Sequence, residues 1–503
     1  MKAIVIGAGA GGLAVANLLA KAGYTVEVFE KNSRLGGRMG LLKRDGFTFD
    51  SGPSWYLMPE VFEHYFSLLG HRPNDFYKLQ KLSPAYKVFF DYAKPIVVKG
   101  DVATDSKTFE GLEAGAGQRL TEYVDEARTI YQLAIANFLY NPFRSVKPLV
   151  TNRAIARHSK RLLGGLTGSL HSHVRRKFAT KQLQQIMEYA MVFLGTSPFD
   201  APSLYRLMSY LDFEQGVFFP KGGMYKVTEA LVSAGKKLEV TYRLNNSIQS
   251  IEVVDGKAVG VMVAGKLHTA DIVISNADLA FTETKLLSAP HQTYPEAYWK
   301  KKKAAPAGLL LYLGIRGALP ELKHHNLFFV DAWRQNFDDI YNNSQWPEKA
   351  SMYVSKTSAS DASVAPKGHE NVFVLVPLPP GKKMTAKTQE QLIARYLDQL
   401  AEQSGIADFR QRIVTQEVRG PAEFESAFNA WQGSALGLNH TLLQSAFLRP
   451  NIRSKKVSNL YYVGGMTQPG IGVPMCLISA ELVIKSLASD KTAGPLQTLP
   501  ELL

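Results

Sequence analysis

The chain opens with a glycine-rich turn between an apolar run and a helical pattern. Residues 2–6 are typical of a strand, Gly7-x-Gly9-x-x-Gly12 follows, and the apolar periodicity of residues 13–22 predicts a helix. Residues 24–30 predict a second strand. A strand, a tight turn, a helix and a strand form the first unit of a Rossmann-like α/β fold, so we expect a nucleotide at this turn.

The residues of this turn suit a dinucleotide. Gly7 permits the tight turn, Gly9 lets the backbone approach a pyrophosphate, and Gly12 brings the helix close to the strand. Glu30 ends the second predicted strand 18 residues beyond Gly12, the position of a carboxylate that accepts a hydrogen bond from a ribose hydroxyl. Glycines alone are common in turns, so the prediction of a cofactor site depends on the flanking strand and helix and on Glu30.

The composition excludes several classes of protein. With 503 residues, of which 46% are hydrophobic and 20% charged, the chain is neither disordered nor collagen-like. Cys476 is the single cysteine, which rules out an intramolecular disulfide and a cysteine-rich zinc site, and we expect a cytoplasmic protein. We interpret His171-x-His173 and His324-His325 as solvated loop histidines and predict no metal site.

The net charge of +14 and the pI of about 9.4 favour an anionic partner. Because no segment resembles a nucleic-acid-binding module, we expect a lipid surface and no nucleic acid. Apolar stretches at residues 306–319 and 473–487 are shorter than the ~18 residues a membrane span needs and carry charged residues. We therefore expect a chain that lies on a membrane without crossing it.

The basic residues cluster in one part of the chain. Between residues 144 and 187 there is no Asp or Glu, whereas leucines are interleaved with basic residues. The basic residues of this stretch are Arg144, Lys147, Arg153, Arg157, Lys160, Arg161, Arg175, Arg176, Lys177 and Lys181, and the leucines include Leu149, Leu162, Leu163, Leu166 and Leu170. Such a surface is typical of contact with anionic lipid, and Trp299 followed by Lys300–Lys303 is a second candidate. An ordinary solvated face is the alternative for both.

Five further segments resemble the flavoproteins of the amine oxidase and carotenoid desaturase group, in particular the bacterial and fungal phytoene desaturases. They are Glu30-Lys31-Asn32-Ser33-Arg34-Leu35-Gly36-Gly37-Arg38, Gly46-Phe47-Thr48-Phe49-Asp50-Ser51-Gly52-Pro53-Ser54, Phe219-Pro220-Lys221-Gly222-Gly223-Met224, Ser275-Asn276-Ala277-Asp278, and Asn459-Leu460-Tyr461-Tyr462-Val463-Gly464-Gly465-Met466-Thr467-Gln468-Pro469-Gly470-Ile471-Gly472-Val473-Pro474. The resemblance extends from residue 2 to about residue 487. It implies FAD as the cofactor, with Arg38 at its phosphates.

The motifs and the resemblance together give a set of expected cofactor-binding residues. They are Gly7, Gly9, Gly11, Gly12, Glu30, Lys31, Gly37, Arg38, Gly52, Pro53, Ser54, Ile248, Asn276, Gly464, Gly465, Gly472, Val473 and Pro474. Gln468 stands where many members of the family carry histidine, which puts a proton-transfer role at this position in doubt. We assign no catalytic residue.

The changes of pattern along the chain predict three interleaved regions. The FAD-binding domain comprises residues 1–100, 215–280 and 425–503, where short strands at residues 238–241, 247–254, 259–263 and 271–275 resume its sheet. Residues 281–424 form an α+β substrate domain, and residues 101–214 form a helical, basic, membrane-associated insert. We expect the tail after Ser489 to be frayed.

The resemblance also implies the reaction, which is the stepwise, FAD-dependent dehydrogenation of phytoene towards lycopene. The substrate is a hydrophobic polyene, and oxygen or a quinone reoxidises the flavin. Within the fold, a C30 diapophytoene or a hydroxylated carotenoid is an alternative substrate, and oxidation or isomerisation an alternative reaction. A redox-silent carrier of prenylated partners is the alternative outside enzymes.

Overall fold

The computed structural model describes residues 1–143, 157–158, 164–166 and 168–502. The strands are β1 Lys2–Ile6, β2 Thr25–Phe29, β3 Leu41–Arg44, β4 Phe47–Asp50, β5 Leu79–Lys81, β6 Tyr86–Phe90, β7 Ile96–Val98, β8 Phe218–Pro220, β9 Thr241–Arg243, β10 Ile248–Val254, β11 Lys257–Val263, β12 Lys266–Thr269, β13 Ile272–Ser275, β14 Ala307–Arg316, β15 His325–Phe329, β16 Met352–Ser355, β17 His369–Leu378, β18 Ile413–Arg419 and β19 Leu460–Tyr462. The described helices of eight or more residues are α1 Ala10–Lys21, α2 Pro59–Leu68, α3 Val102–Leu112, α4 Ala116–Ala134, α5 Leu170–Lys177, α6 Lys181–Glu188, α7 Tyr225–Lys237, α8 Trp333–Tyr341, α9 Ala386–Ser404, α10 Pro421–Phe428 and α11 Val473–Leu487.

A parallel sheet in the order β19-β13-β1-β2-β9 forms the first half of the fold. Its central strand β1 is almost wholly buried, and α1 packs beside α7 and α11 against this sheet. Parallel strands need helical crossovers that cover their faces, which is why β1 and β13 are continuous apolar runs. The predicted β1-α1-β2 unit is confirmed.

A mixed sheet in the order β18-β14-β17-β16-β15-β6-β7 forms the second half. The ten residues of β14 pair in antiparallel register with those of β17, and α9 packs its apolar side on this pair. The strands predicted at residues 309–313 and 371–376 lie within β14 and β17. Strands β6 and β7, which we placed in the first domain with residues 1–100, belong to this sheet, because β6 pairs with β15.

The strands β10, β11 and β12 do not resume the parallel sheet as we expected. They form an antiparallel sheet of their own, while β9 and β13 on either side of them join the parallel sheet. Asp255 and Gly256 both have positive φ, so β10 and β11 are joined by a tight hairpin turn. A two-residue turn forces antiparallel pairing, and this physical reason overturns the prediction.

The four histidines that we expected in solvated loops lie elsewhere. His324 and His325 are buried at the start of β15, and His171 and His173 lie on α5. His171 makes a hydrogen bond through Nδ1 to the buried Glu188 at 2.8 Å. Among the described residues, no three His, Cys, Asp or Glu side chains gather as a metal site.

The C-terminal tail is attached to the core, contrary to the expected fraying. Glu481 on α11 accepts a hydrogen bond from the Leu496 amide at 2.6 Å. Lys485, one turn further on and fully buried, donates to the carbonyls of Tyr140 at 3.0 Å, Thr492 at 2.7 Å and Gly494 at 2.6 Å. These two side chains position the tail.

In the described part of the chain, no helix is both long enough and apolar enough to cross a bilayer.

Replacing this buried lysine tests how firmly the tail is held. We expect Lys485→Met to lower the free energy of unfolding by about 2 kcal/mol, because three carbonyls lose their donor. Denaturant unfolding measures the loss, and proteolysis of the tail should be faster. The exposed Lys491→Met is the matched control and should leave both unchanged; equal stability of the two variants would contradict the prediction.

Candidate functional site

A cavity of ≈ 1140 Å³ extends from the ends of the parallel strands to the mixed sheet. All of the predicted cofactor residues line this cavity except Gly12 and Gly464. Those two glycines lie behind its wall, where Gly12 packs on the Gly7 carbonyl and Gly464 packs on Asn276. The predicted cofactor residues, which come from distant parts of the chain, therefore lie together at one cavity.

Asn276 joins the glycine turns at this end of the cavity. Its Nδ2 donates to the Val463 carbonyl at 2.9 Å, which links the turn after β13 to the turn after β19. A Cβ at Gly9 would lie 2.8 Å from Asn276 Oδ1, and a Cβ at Gly11 would lie 2.9 Å from Nδ2. The glycines are needed because the amide occupies the space of their side chains. Asn276 thus holds the glycine turns in position in addition to lining the cavity. We call these turns, at residues 7–12 and 463–465, the cradle.

Glu30 and Lys31 follow β2 at the edge of the cradle. The buried Glu30 accepts hydrogen bonds from the amides of Ala8 and Asn32, each at 2.9 Å. The Oε1 atom accepts a second hydrogen bond from Asn32 Nδ2 at 2.8 Å, so the remaining lone pair of Oε2 is the one that can accept from a ribose hydroxyl. Lys31 donates to the Ser426 carbonyl at 2.6 Å, and burial lowers the pKa of its ammonium. Lys31 therefore ties the cradle to α10.

Arg38 brings the positive charge of the site. Its Nη2 donates to the Ser434 carbonyl at 3.3 Å, and its Nε has no partner among the described residues. Burial lowers the pKa of Arg38, and the nearby Asp278 carboxylate opposes that shift. A guanidinium with unfilled donors on a cavity wall suits a phosphate oxygen.

Two helix N-termini contribute to the same end of the cavity. Helix α1 begins after Gly9 and α11 begins after Gly472, and neither has a side-chain cap. Their free backbone N–H groups favour an anionic ligand. Together with Arg38, these N–H groups suit the pyrophosphate of a dinucleotide. The residues at this end of the cavity therefore fit FAD.

Asp50 positions the segment that carries Gly52, Pro53 and Ser54. Its carboxylate accepts from the amides of Met224 at 2.8 Å and Tyr225 at 2.9 Å, at the start of α7. Burial raises the pKa of Asp50 to about 6. This interaction joins the two segments at residues 46–54 and 219–224 that the resemblance picked out separately.

The other end of the cavity is apolar, and sequence reasoning missed it. Helix α8 turns one face towards it, which consists of Trp333, Asn336, Phe337, Ile340 and Tyr341. Aromatic and aliphatic side chains from other elements complete the wall, among them Trp55, Tyr189, Leu327, Phe329, Tyr353 and Leu375. The i, i+3, i+4, i+7 spacing of α8 was the available signal, but it is equally typical of a core helix.

Two further polar side chains lie at the cavity, and the sequence analysis assigned no role to either of them. Gln468 is buried, and its Oε1 has no partner among the described residues. His440, which the sequence analysis did not single out, lines the cavity and has 5% of its surface exposed. A lone histidine between asparagine and threonine carries no sequence signal.

Comparison with known proteins gives close relatives and a shared fold. The chain is 41% identical over 97% of its length to the carotenoid 3,4-desaturase of Haloarcula japonica, covering 98% of that protein. It is 32% identical over 97% of its length to the phytoene desaturase of Fusarium fujikuroi, covering 89% of it. Putrescine oxidase bound to putrescine has the same fold, with a TM-score of 0.62, 15% identity, and coverage of 97% of this chain and 99% of that one.

Removal of the Arg38 guanidinium tests the phosphate end of the site. We expect Arg38→Met to weaken the binding of FAD to the apoprotein by about 10- to 100-fold, the loss of one or two charge-assisted hydrogen bonds. Quenching of flavin fluorescence measures the dissociation constant. Arg44→Met is the matched control, because Arg44 is exposed and pairs with Glu417 away from the cavity. Equal affinities of the two variants would remove Arg38 from the site.

The family model for flavin-containing amine oxidoreductases matches residues 10–483. The match begins with α1 at the glycine turn and reaches into α11, so it includes both helix N-termini at the cofactor end of the cavity. The cofactor is accordingly FAD, and the protein is an oxidoreductase. By this match and by its two relatives, the chain belongs to the flavin-containing amine oxidoreductase family and, within it, to the carotenoid desaturases.

Proposed function

We propose that the protein dehydrogenates phytoene stepwise towards lycopene. The observation that supports this substrate is that the dinucleotide cradle and a wall of aromatic and aliphatic side chains line one continuous cavity. A hydrocarbon offers no hydrogen-bonding group, so its recognition depends on the length and shape of an apolar space. Among enzyme substrates, a long polyene precursor fits such a wall best.

The bound flavin supplies the acceptor for the hydride in each desaturation. The residues of the chain hold it and keep water away. Glu30 fixes the adenosine end, and Arg38 with the N-termini of α1 and α11 fixes the phosphates. Trp55, Phe329 and Phe337 surround the polyene and exclude water from it. We propose oxygen or a quinone as the final oxidant.

A carotenoid other than phytoene is the second candidate. It is favoured by the higher identity to the Haloarcula japonica carotenoid 3,4-desaturase than to the Fusarium fujikuroi phytoene desaturase. A redox-silent lipid carrier is disfavoured, since Glu30 and Arg38 would then have no ligand.

Offering two substrates side by side separates these candidates. FAD-loaded protein with phytoene in liposomes, in air and without NAD(P), should give a pigment with banded visible absorption, because each step extends the conjugated system. Band positions count the double bonds added. If lycopene shifts to longer wavelength while phytoene stays colourless, the second candidate holds. If neither changes although FAD is bound, the phytoene proposal is wrong, and a C30 or hydroxylated carotenoid is the remaining form of the second candidate.

We also propose that the protein docks on anionic membranes, where such a substrate resides. The mouth of the cavity supports this. A group of exposed apolar side chains, which we name the rim, consists of Leu442, Leu443, Phe447 and Leu448, of which Leu443 is 73% and Phe447 64% exposed. Leu442, Phe447 and Leu448 also line the cavity. Exposed apolar groups at an opening are typical of a membrane contact.

Positive charge lies directly beside the rim. The Lys303 amide donates to Gln444 Oε1 at 3.0 Å, and Gln444 Nε2 donates to the Lys303 carbonyl at 3.0 Å. This pairing attaches the exposed run Lys300, Lys301 and Lys303 to the rim. Apolar side chains flanked by lysines match the boundary of an anionic bilayer.

The described part of the basic insert has inward-facing, paired and exposed side chains, the last including Leu166, which also lines the cavity. Leu170 is fully buried, and Lys177 and Lys181 face Glu126 and Asp331. Arg144, Lys147, Leu149, Arg153, Lys160, Arg161, Leu162 and Leu163 lie outside the described residues. The rim and Lys300–Lys303 are therefore the better supported surface.

Substitutions at the rim test the docking surface. We expect Leu443→Ser with Phe447→Ser to reduce co-sedimentation with anionic vesicles at least about tenfold, because each side chain loses roughly 1–2 kcal/mol of apolar burial. Changing Lys300, Lys301 and Lys303 to Gln should weaken binding and reduce its salt dependence. Val254→Ser removes an aliphatic side chain that is 56% exposed and lies far along the sequence, and this variant is the control. Unchanged vesicle binding in the rim variant would contradict the proposal.

A further inference from the structure

His440 lines the cavity and comes just before the rim in the sequence. Its Nδ1 makes a hydrogen bond to the Leu194 carbonyl at 3.0 Å. Since a carbonyl only accepts, Nδ1 carries the hydrogen, and the lone pair of the neutral ring is on Nε2. The structure therefore fixes which nitrogen can take up a proton.

The Nε2 side of the ring packs on the loop after β19. A Cβ at Gly470 would collide with Nε2, so only a glycine allows the imidazole to approach this closely. Pro469 and Ile471, on either side of Gly470, line the cavity together with His440. Within the described part of the chain, no hydrogen bond engages Nε2. An acceptor without a donor thus remains at the cavity wall.

The surroundings keep this imidazole neutral. Burial lowers its pKa well below the ordinary value, and the positive charge of Arg449 lowers it further. Arg449 is itself buried and donates to five carbonyls, of Leu438, Asn439, Gln444, Gly465 and Thr467. Tyr205 faces the ring edge-on. A neutral imidazole is the base form at physiological pH.

Resting on the proposed desaturation, we propose that Nε2 of His440 accepts the proton that leaves the polyene. In each step, one carbon gives a hydride to oxidised flavin, which gains two electrons. The C–H bond of the neighbouring carbon breaks, its electron pair forms the new π bond, and the proton forms a bond to Nε2. A weak base suffices, since a C–H bond beside an electron-deficient allylic carbon is strongly acidic. In this proposal the two C–H bonds break in one concerted step, so loss of the base also slows the reduction of the flavin.

This assignment accounts for the glutamine at position 468. An amide is not a base in this pH range, so Gln468 cannot take the proton. His440 contacts the same loop at Gly470. The base that the C-terminal motif lacks is thus supplied from the segment next to the rim.

The test combines deletion of the imidazole with its chemical rescue. We expect His440→Ala to slow anaerobic bleaching of bound FAD by the carotenoid about 100-fold, a typical contribution of a general base. Free imidazole should restore at least about a tenth of the rate by entering the vacated space. FAD affinity, measured by fluorescence, should stay the same.

A second readout does not depend on turnover. Nitrogen NMR of histidine-labelled apoprotein should show a ring with a protonated Nδ1 and an unprotonated Nε2 that stays neutral to pH 6, and the signal that disappears in His440→Ala should be one of this kind. His324→Gln, which removes another buried imidazole that does not line the cavity, should bleach like the wild type.

The possible failures are distinguishable. If wild-type FAD is not bleached by any carotenoid, the proposed function fails. If the wild type is bleached and His440→Ala matches it, the proton-acceptor role is wrong. A slow variant that imidazole does not rescue and that binds FAD weakly would show that His440 only supports the loop, and a cationic ring in the NMR spectrum would also overturn the proposal.

Discussion

The Asn276 amide is the interaction on which the rest of the site depends. It fills the space left by glycines of the first turn and holds the turn after β19 through the Val463 carbonyl. Asn276 is half-buried and packs on glycine backbone, where its amide is stable only when its hydrogen bond is made, so both turns have to be in place at once. The backbone amides at the start of α1 and α11 acquire their positions in this way.

Local patterns predicted the cofactor half of the fold well. The unit β1-α1-β2 is contiguous, and its turn, helix and strand each follow from neighbouring residues. The hairpin at Asp255-Gly256 was misassigned because strand patterns do not report their partners, although the turn itself forces antiparallel pairing. Strands β6 and β7 were misplaced because pairing with β15 is a tertiary event.

The substrate half of the site could not be read from the sequence in the same way. The face of α8 that lines the cavity has the spacing of any buried helix, and only the assembled fold leaves open space in front of Phe337. The proposed role of His440 depends on its surroundings in the folded protein, which include Leu194, Arg449 and Gly470. None of them is near it in a recognisable motif.

The hydrogen bond from Asn276 to the Val463 carbonyl also has a consequence for when the site forms during synthesis. The glycine turn leaves the ribosome before Asn276, and the turn that Asn276 holds follows 187 residues later. Segments that emerge early fold first when their partners are already present. Here one partner of Asn276 is made long after the glycine turn, so the complete set of turns around the cofactor end of the cavity exists only once the turn after β19 has been synthesised.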